Sequence, residues 1–117
     1  MRQVAVRRDE PDNEPLTEAV FLILLSLAQH PLHGYALVKD VEELSGGRVR
    51  LSTGTLYGAL KRLLEHSWIE PFEQEDTSRE KQAYQLTAVG RRQLQAELGR
   101  IKQLARAATA RLRTREA

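Results

Sequence analysis

The chain has 117 residues, of which 41% are hydrophobic and 29% charged, with a formal net charge of +2 and no cysteine. This length fits one compact domain, and the lack of cysteine excludes disulfides, thiolate zinc sites and cysteine nucleophiles. A domain this small without covalent or metal staples commonly gains part of its core from a partner, so we expect an oligomer.

The small net charge conceals an uneven distribution along the chain. Residues 88–117 contain eight basic and two acidic residues, a net charge of +6, whereas residues 67–87 have a net charge of −3. Only the basic C-terminal segment has the composition of a patch that attracts phosphate, and a solvated basic helix explains it equally well.

The longest apolar run begins at Ala19 and is too short for a membrane span, which needs about 20 residues. Acidic Glu14 and Glu18 lie just before or at its start, unlike the basic leader of a signal peptide. We therefore expect a soluble, cytoplasmic protein.

Three helices are predicted in the first half of the chain, over about residues 16–29, 35–44 and 52–66. The first is apolar nearly all round and is therefore covered on several sides. Pro31 ends it, because the residue before a proline avoids the helical conformation. The dipeptide at 46–47, Gly-Gly, supplies the left-handed residues that close the second helix.

The third helix has two distinct faces. Ser52 is placed to cap it, and its apolar residues recur at helical spacing on one face, at Leu56, Leu60, Leu63 and Leu64. The opposite face has small, hydroxylated and basic residues, namely Gly54, Thr55, Gly58, Lys61, Arg62 and Glu65, with Tyr57 at its border. Such a face can approach another surface closely and form hydrogen bonds with it.

Two strands and a long helix complete the chain. Residues 68–74 and 81–87 are candidate strands on either side of a polar hairpin tip, and Pro71 indicates an edge strand. Thr87 is placed to cap a last helix over residues 88–113. Its apolar residues alternate at spacings of four and three, the pattern of a two-helix seam: Leu94, Leu98, Ile101, Ala105, Ala108 and Leu112, with Leu104 beside it. The alternative is that this stripe packs on its own domain and not on a second chain.

This order of elements predicts a mainly α fold, a winged helix-turn-helix with a two-stranded wing and a long C-terminal dimerisation helix. We divide the chain into a flexible tail (1–15), a DNA-binding domain (16–87) and a dimerisation helix (88–117). A helix fits the major groove of DNA, whose width of about 12 Å matches the helix diameter.

Three segments carry a resemblance to a known family. They are LTEAVFLILLSLAQHPLHGYALVKDVEE at 16–43, LSTGTLYGALKRLLEHSWIEP at 51–71 and YQLTAVGRRQL at 84–94. Together they cover about two-thirds of the chain, and the sequence resembles the PadR family of bacterial transcriptional regulators. The match is to its small subfamily, which has a single C-terminal helix.

The resemblance implies a homodimeric repressor that binds an inverted-repeat operator in double-stranded DNA. The third helix would enter the major groove and the hairpin would form the wing. The last helices of two chains would pack together with the first helix of each partner. A small-molecule effector is a further possibility that the family suggests, while no cofactor and no metal is implied.

The candidate DNA-binding residues lie mainly on the third helix and at its start. They are Tyr35, Ser52, Thr53, Thr55, Tyr57, Lys61, Arg62, Arg79 and Lys81, of which Tyr35 is on the preceding helix and the last two are on the wing. For Tyr57 the alternative is packing at the helix margin, and for Lys61, Arg62, Arg79 and Lys81 it is a solvated surface residue.

The sequence departs from the family pattern at a few positions. Gly58 stands where a proline usually follows the LY pair, and Ser67 and Trp68 stand in SWIE where GLIE is commoner. Gln82 and Ala83 replace the usual basic or aromatic residues before Tyr84, which predicts a smaller contribution from the wing.

Other chemistry finds little support in the sequence. No nucleophile stands with a base and an orienting group, so we expect no enzyme. His30 and His33 flank a proline turn without the further ligands that a metal site needs. Trp68 has two interpretations, core packing that anchors the hairpin or a cavity wall that stacks a planar ligand.

Two other functions remain open at this point. A winged-helix adaptor would bind a protein and show no preference for an inverted repeat over random duplex. A stand-alone small-molecule sensor would bind its ligand with no change in DNA affinity.

Overall fold

The computed structural model describes residues 15–73 and 82–116 of the chain. The predicted order of helices and strands is confirmed, with one strand more than expected. The elements in chain order are α1 (Glu18–Ser26), β1 (Leu32–His33), α2 (Gly34–Leu44), α3 (Thr53–Glu65), β2 (Ile69–Phe72), β3 (Ala83–Leu86) and α4 (Ala88–Glu116). The fold is a winged helix-turn-helix with a long last helix.

Helix α1 is shorter than its apolar pattern predicts, because it ends at Ser26 and not at Gln29. The Thr17 hydroxyl caps its start by accepting a hydrogen bond from the Val20 N–H at 3.2 Å. At the other end the carbonyl of Ala28 accepts a hydrogen bond from the Arg91 guanidinium of α4, at 2.8 Å. The chain beyond Ser26 therefore turns toward α4 before it reaches Pro31.

The three strands form an antiparallel sheet in the order β1-β3-β2. Strand β3 pairs Tyr84 with both Leu32 and Pro71, so it is the central strand. Strand β2 is at the edge, as Pro71 predicts, since proline has no N–H to donate to a second neighbour. The sequence analysis missed β1, because two residues are too few to show an alternating pattern.

The hydrophobic core lies where α1, α2 and α3 meet the sheet and the start of α4. Ile23, Leu24, Leu37 and Val41 at its centre are fully buried. Trp68 belongs to the same cluster, with 9% of its surface exposed, and its ring stacks on His66 with centroids 4.8 Å apart. Trp68 therefore packs against the core of its own domain.

The link from α3 to the wing has an unusual backbone conformation. Ser67 has a φ of 62°, in the left-handed region that glycine favours. Its N–H donates to the Leu64 carbonyl, and the Trp68 N–H donates to the Leu63 carbonyl, both at 3.0 Å. These two bonds are the Schellman pattern that closes a helix.

The first turn of α4 packs directly on this link. The Thr87 hydroxyl caps α4, as predicted, by accepting from the Gly90 N–H at 3.0 Å, and it donates to the Ser67 carbonyl at 2.6 Å. A Cβ atom on Gly90 would lie 2.0 Å from the carbonyl oxygen of Trp68. Glycine is therefore required at position 90 for this close approach.

Further along, a buried carboxylate ties α4 to the start of α1. The Glu97 side chain accepts from the Leu16 N–H at 3.3 Å and from the Arg100 guanidinium at 2.6 and 3.0 Å. The hydrogen bond from Arg100 lowers the pKa of Glu97, so the carboxyl stays ionised despite its burial. No helix among residues 15–73 and 82–116 is long and apolar enough to cross a membrane.

Candidate nucleic-acid interface

Helix α3 has one buried and one exposed face, as its sequence predicts. Leu56, Ala59, Leu60 and Leu63 point into the core. The outward face includes most of the predicted DNA-binding residues and three of their neighbours: Ser52, Thr53, Gly54, Thr55, Tyr57, Gly58, Lys61, Arg62 and Glu65. The structure thus brings these candidates together on one continuous surface.

At the amino end of α3 two hydroxyls share one network. The Ser52 hydroxyl accepts from the Thr55 N–H at 3.1 Å and donates to the Thr55 hydroxyl at 3.0 Å. Ser52 is thereby used as the helix cap. The Thr55 hydroxyl still has its own hydrogen to donate, so it is the better placed of the two for an external acceptor such as a phosphate or a base edge.

Tyr57 packs against the start of α2 and keeps part of its ring in solvent. A Cβ atom on Gly34 would lie 2.6 Å from the Tyr57 hydroxyl oxygen, and Tyr57 is 38% exposed. Gly34 therefore permits α2 and α3 to approach, a role that the sequence analysis missed. Tyr35 is 71% exposed, and the Lys39 amine lies 5.7 Å from the centre of its ring.

Lys61 and Arg62 are both exposed, but they point in different directions because successive helical residues are rotated by about 100°. Neither forms an ion pair with the side chains described, those of residues 15–73 and 82–113. Arg62 lines a groove of about 250 Å³ between α3 and the start of α1, together with Pro15, Thr17 and His66. The sequence showed no sign of this groove.

Two glycines lie on the exposed face of α3 without a structural requirement in the described part of the chain. A Cβ atom on Gly54 or Gly58 would meet no atom within 4 Å. Glycine inside a helix costs about 1 kcal/mol relative to alanine. Because neither glycine has a side chain, a second molecule can approach the backbone of α3 closely at these positions.

The wing is described only at its base. Strands β2 and β3 pair Phe72 with Ala83, and the Gln82 amide donates to the carbonyls of Phe72 and Ala83 at 3.3 and 2.7 Å. The predicted contact residues Arg79 and Lys81 lie outside the described residues.

The predicted seam of α4 divides into two parts. Leu94 is 8% exposed and belongs to the core of its own domain. The remaining seam residues, with Leu104, are exposed along the helix from residue 98 onward: Leu98, Ile101, Leu104, Ala105, Ala108 and Leu112. Leu104 and Leu112 expose 54% and 67% of their surface, which is unusual for leucine.

The fold and the outward face of α3 define a class of protein, the winged-helix transcriptional regulators. Within this class, the model of the PadR-like transcriptional regulator family matches residues 23–96. The chain belongs to this family, whose members are regulators of transcription and not enzymes.

Solved structures give the same result. A PadR family transcription regulator from Clostridium difficile has a TM-score of 0.70 at 24% identity, covering 82% of this chain and 99% of the other. A PadR family transcriptional regulator from Eggerthella lenta has a TM-score of 0.63 at 27% identity, covering 80% of each chain. Bacillus subtilis PadR, solved in complex with operator DNA, has a TM-score of 0.58 at 28% identity, covering 68% of this chain and 45% of its own.

One curated relative is similar in sequence. It is an uncharacterised 37.1 kDa protein in transposon TN4556 of Streptomyces fradiae, 41% identical over 80 residues, which are 68% of this chain. The matched part spans 22% of the length of that relative.

Proposed function

We propose that this protein is a dimeric repressor that binds an inverted-repeat operator and inserts the exposed face of α3 into the major groove. The proposal rests on this face, where a donor hydroxyl at Thr55, two open glycines and two cations that form no ion pair with any described side chain lie on one helix. In this arrangement Thr55 and Tyr57 would contact base edges or phosphates, while Lys61 and Arg62 would contact the DNA backbone.

The part of α4 from residue 98 onward supports the dimeric part of the proposal. Its exposed leucines and isoleucine follow the spacing of a helix-helix seam, and small residues at Ala105 and Ala108 allow close approach. A two-fold dimer would set two α3 helices about 34 Å apart, one turn of DNA, so that both enter the major groove on one side of the duplex.

A small-molecule signal would release the protein from DNA by changing the distance between the two α3 helices. A ligand that shifts the two domains by a few ångströms would move one α3 helix out of register with its groove. Such a ligand would lower the affinity for the operator without contacting α3.

Replacing both cations of α3 tests the proposal. We expect K61A/R62A to bind duplex fragments from the protein's own promoter at least tenfold more weakly than the wild type, because interactions with phosphate dominate affinity. The slope of log affinity against log salt should fall by about 1 for each phosphate that the variant no longer neutralises. Fluorescence anisotropy at several salt concentrations measures both quantities.

The matched control is R106A, which removes an exposed arginine of α4 away from α3. It should leave affinity and salt slope unchanged, and circular dichroism should show that all variants are folded. Equal affinity of K61A/R62A and the wild type would refute the assignment of α3. A lack of preference for an inverted repeat over random duplex would instead support a protein-binding adaptor.

A further inference from the structure

The groove between α3 and the start of α1 has one charged residue in its lining, Arg62. Arg62 forms its rim, His66 and Trp68 form one wall, and Pro15 and Thr17 form the other. None of the residues that line it is acidic. The amino end of α1, which has the positive end of the helix dipole, lies at the same rim.

Nearby acidic groups form no ion pair with Arg62, and among the described side chains this includes Glu65, three residues further along α3. The nearest acid along α1, Glu18, is bound by both guanidinium nitrogens of Arg48, which lower its pKa and hold it as a carboxylate on another side of the helix. Glu97 is bound by Arg100. Arg62 is therefore a cation without an ion-pair partner among the side chains of residues 15–73 and 82–113.

The chain itself leads a concentrated acidic sequence to this groove. Pro15 lines the groove, and the six residues before it, 9–14, have the sequence DEPDNE with four carboxylates. An extended residue spans at most about 3.3–3.6 Å. The carboxylates of Asp12 and Glu14 are therefore one to three residues from a wall of the groove, and the other two are within about 20 Å of it.

We propose that residues 9–14 of the same chain bind at this groove as an intramolecular counterion for Arg62 and compete there with DNA phosphates. Residues 9–14 suit this groove because their charge is opposite to that of Arg62. Their covalent link to Pro15 also gives them a high effective concentration there. Its consequence is weaker binding to DNA of arbitrary sequence, whose affinity depends mainly on interactions with phosphate.

Crosslinking tests the contact without DNA. A carbodiimide joins a carboxylate to a lysine amine without a spacer, so the R62K variant makes position 62 reactive while keeping its charge. We expect mass spectrometry to find position 62 joined to residues 9–14, with a yield that falls in 1 M salt because screening weakens the attraction. Mixed heavy and light chains should show that both residues come from one chain.

Two variants calibrate the yield. R48K should join position 48 to Glu18, which Arg48 contacts in the structure, and R106K should give no product with residues 9–14. A yield at position 62 no higher than at position 106 would overturn the proposal. Products only between heavy and light chains would also overturn it, as would products at Lys61 in place of position 62.

DNA binding tests the consequence, which rests on the proposed function. The variant D9N/E10Q/D12N/E14Q should bind random duplex about two- to fivefold more tightly at low salt, the range expected for exposed ion pairs. The same change in an R62A background should have no effect. An equal gain in both backgrounds would overturn the competition at Arg62, whereas absence of any DNA binding would overturn the proposed function and leave the crosslinking result intact.

Discussion

At the scale of single residues, Ser67 is the position where this sequence departs from its family with a visible structural cost. It occupies the left-handed conformation that closes α3, at a position where the family resemblance implies glycine as the commoner residue. A side chain in this conformation costs about 1–2 kcal/mol. The two hydrogen bonds of the helix closure and the packing of Trp68 hold the serine there.

Restoring glycine should therefore stabilise the protein. We expect S67G to raise the free energy of unfolding by about 1 kcal/mol, since relief of the left-handed strain exceeds the added entropy of the unfolded chain. Urea denaturation measures the change. S67A is the control and should bring no gain, so an equal effect of both substitutions would show that strain at Ser67 is not the cause.

Replacing Gly90 should destabilise the protein. A methyl group there would lie 2.0 Å from the Trp68 carbonyl oxygen, which is backbone and cannot rotate away. We expect G90A to lower the free energy of unfolding by about 1–3 kcal/mol, the usual cost of overpacking. G99A, in open space on the same helix, should stabilise by about 0.5–1 kcal/mol; destabilisation by both would assign the effect to α4 as a whole.

These single residues also show the limit of sequence analysis. The caps at Ser52 and Thr87 were predictable because a side-chain oxygen before an apolar helix has a local signature. The close approaches at Gly34 and Gly90 were not, because they depend on which elements meet in space. The same holds for the groove at Arg62 and for the buried Glu97.

At the scale of elements, the helices were the predictable part of the fold. The sequence analysis placed α2 and α3 within one residue of their bounds, since each has a clear apolar stripe and a closing signal. Helix α1 was predicted three residues too long at its carboxyl end, because the apolar pattern continues through Leu27 and Ala28 after the helix has ended at Ser26. Strand β1 was not predicted, because its two residues are too few to show a pattern and its pairing with β3 is a tertiary contact.

Substitutions on opposite sides of α4 should have different effects on dimerisation. Ala105 lies on the predicted seam and Ala107, two residues on, lies on the opposite side of the same exposed stretch. We expect A105E to convert a dimer into a monomer at micromolar concentration, because a buried unpaired carboxylate is costly. A107E should remain dimeric because its side chain stays in water.

Sedimentation velocity distinguishes the two variants. Helicity by circular dichroism controls for unfolding of α4. If A105E sediments as a dimer like the wild type, or if the wild type itself is a monomer, dimerisation through this face is contradicted.

At the scale of the whole molecule, the charged residues are distributed unevenly between segments of the chain, and the total charge conceals this. The net charge of +2 says nothing about DNA, whereas the location of each cation does. The sequence predicted which residues share the outward face of α3, because helical periodicity alone determines that. It did not predict that Arg62 faces the start of α1, since this direction follows from how α1 and α3 pack.

Selection of binding sites from random duplexes with the full chain tests whether a dimer reads DNA through α3. Two α3 faces related by a two-fold axis should enrich an inverted repeat whose half-site centres are about 10 base pairs apart. Enrichment of single, unpaired half-sites, or of no sequence at all, would contradict a dimer that reads DNA through α3.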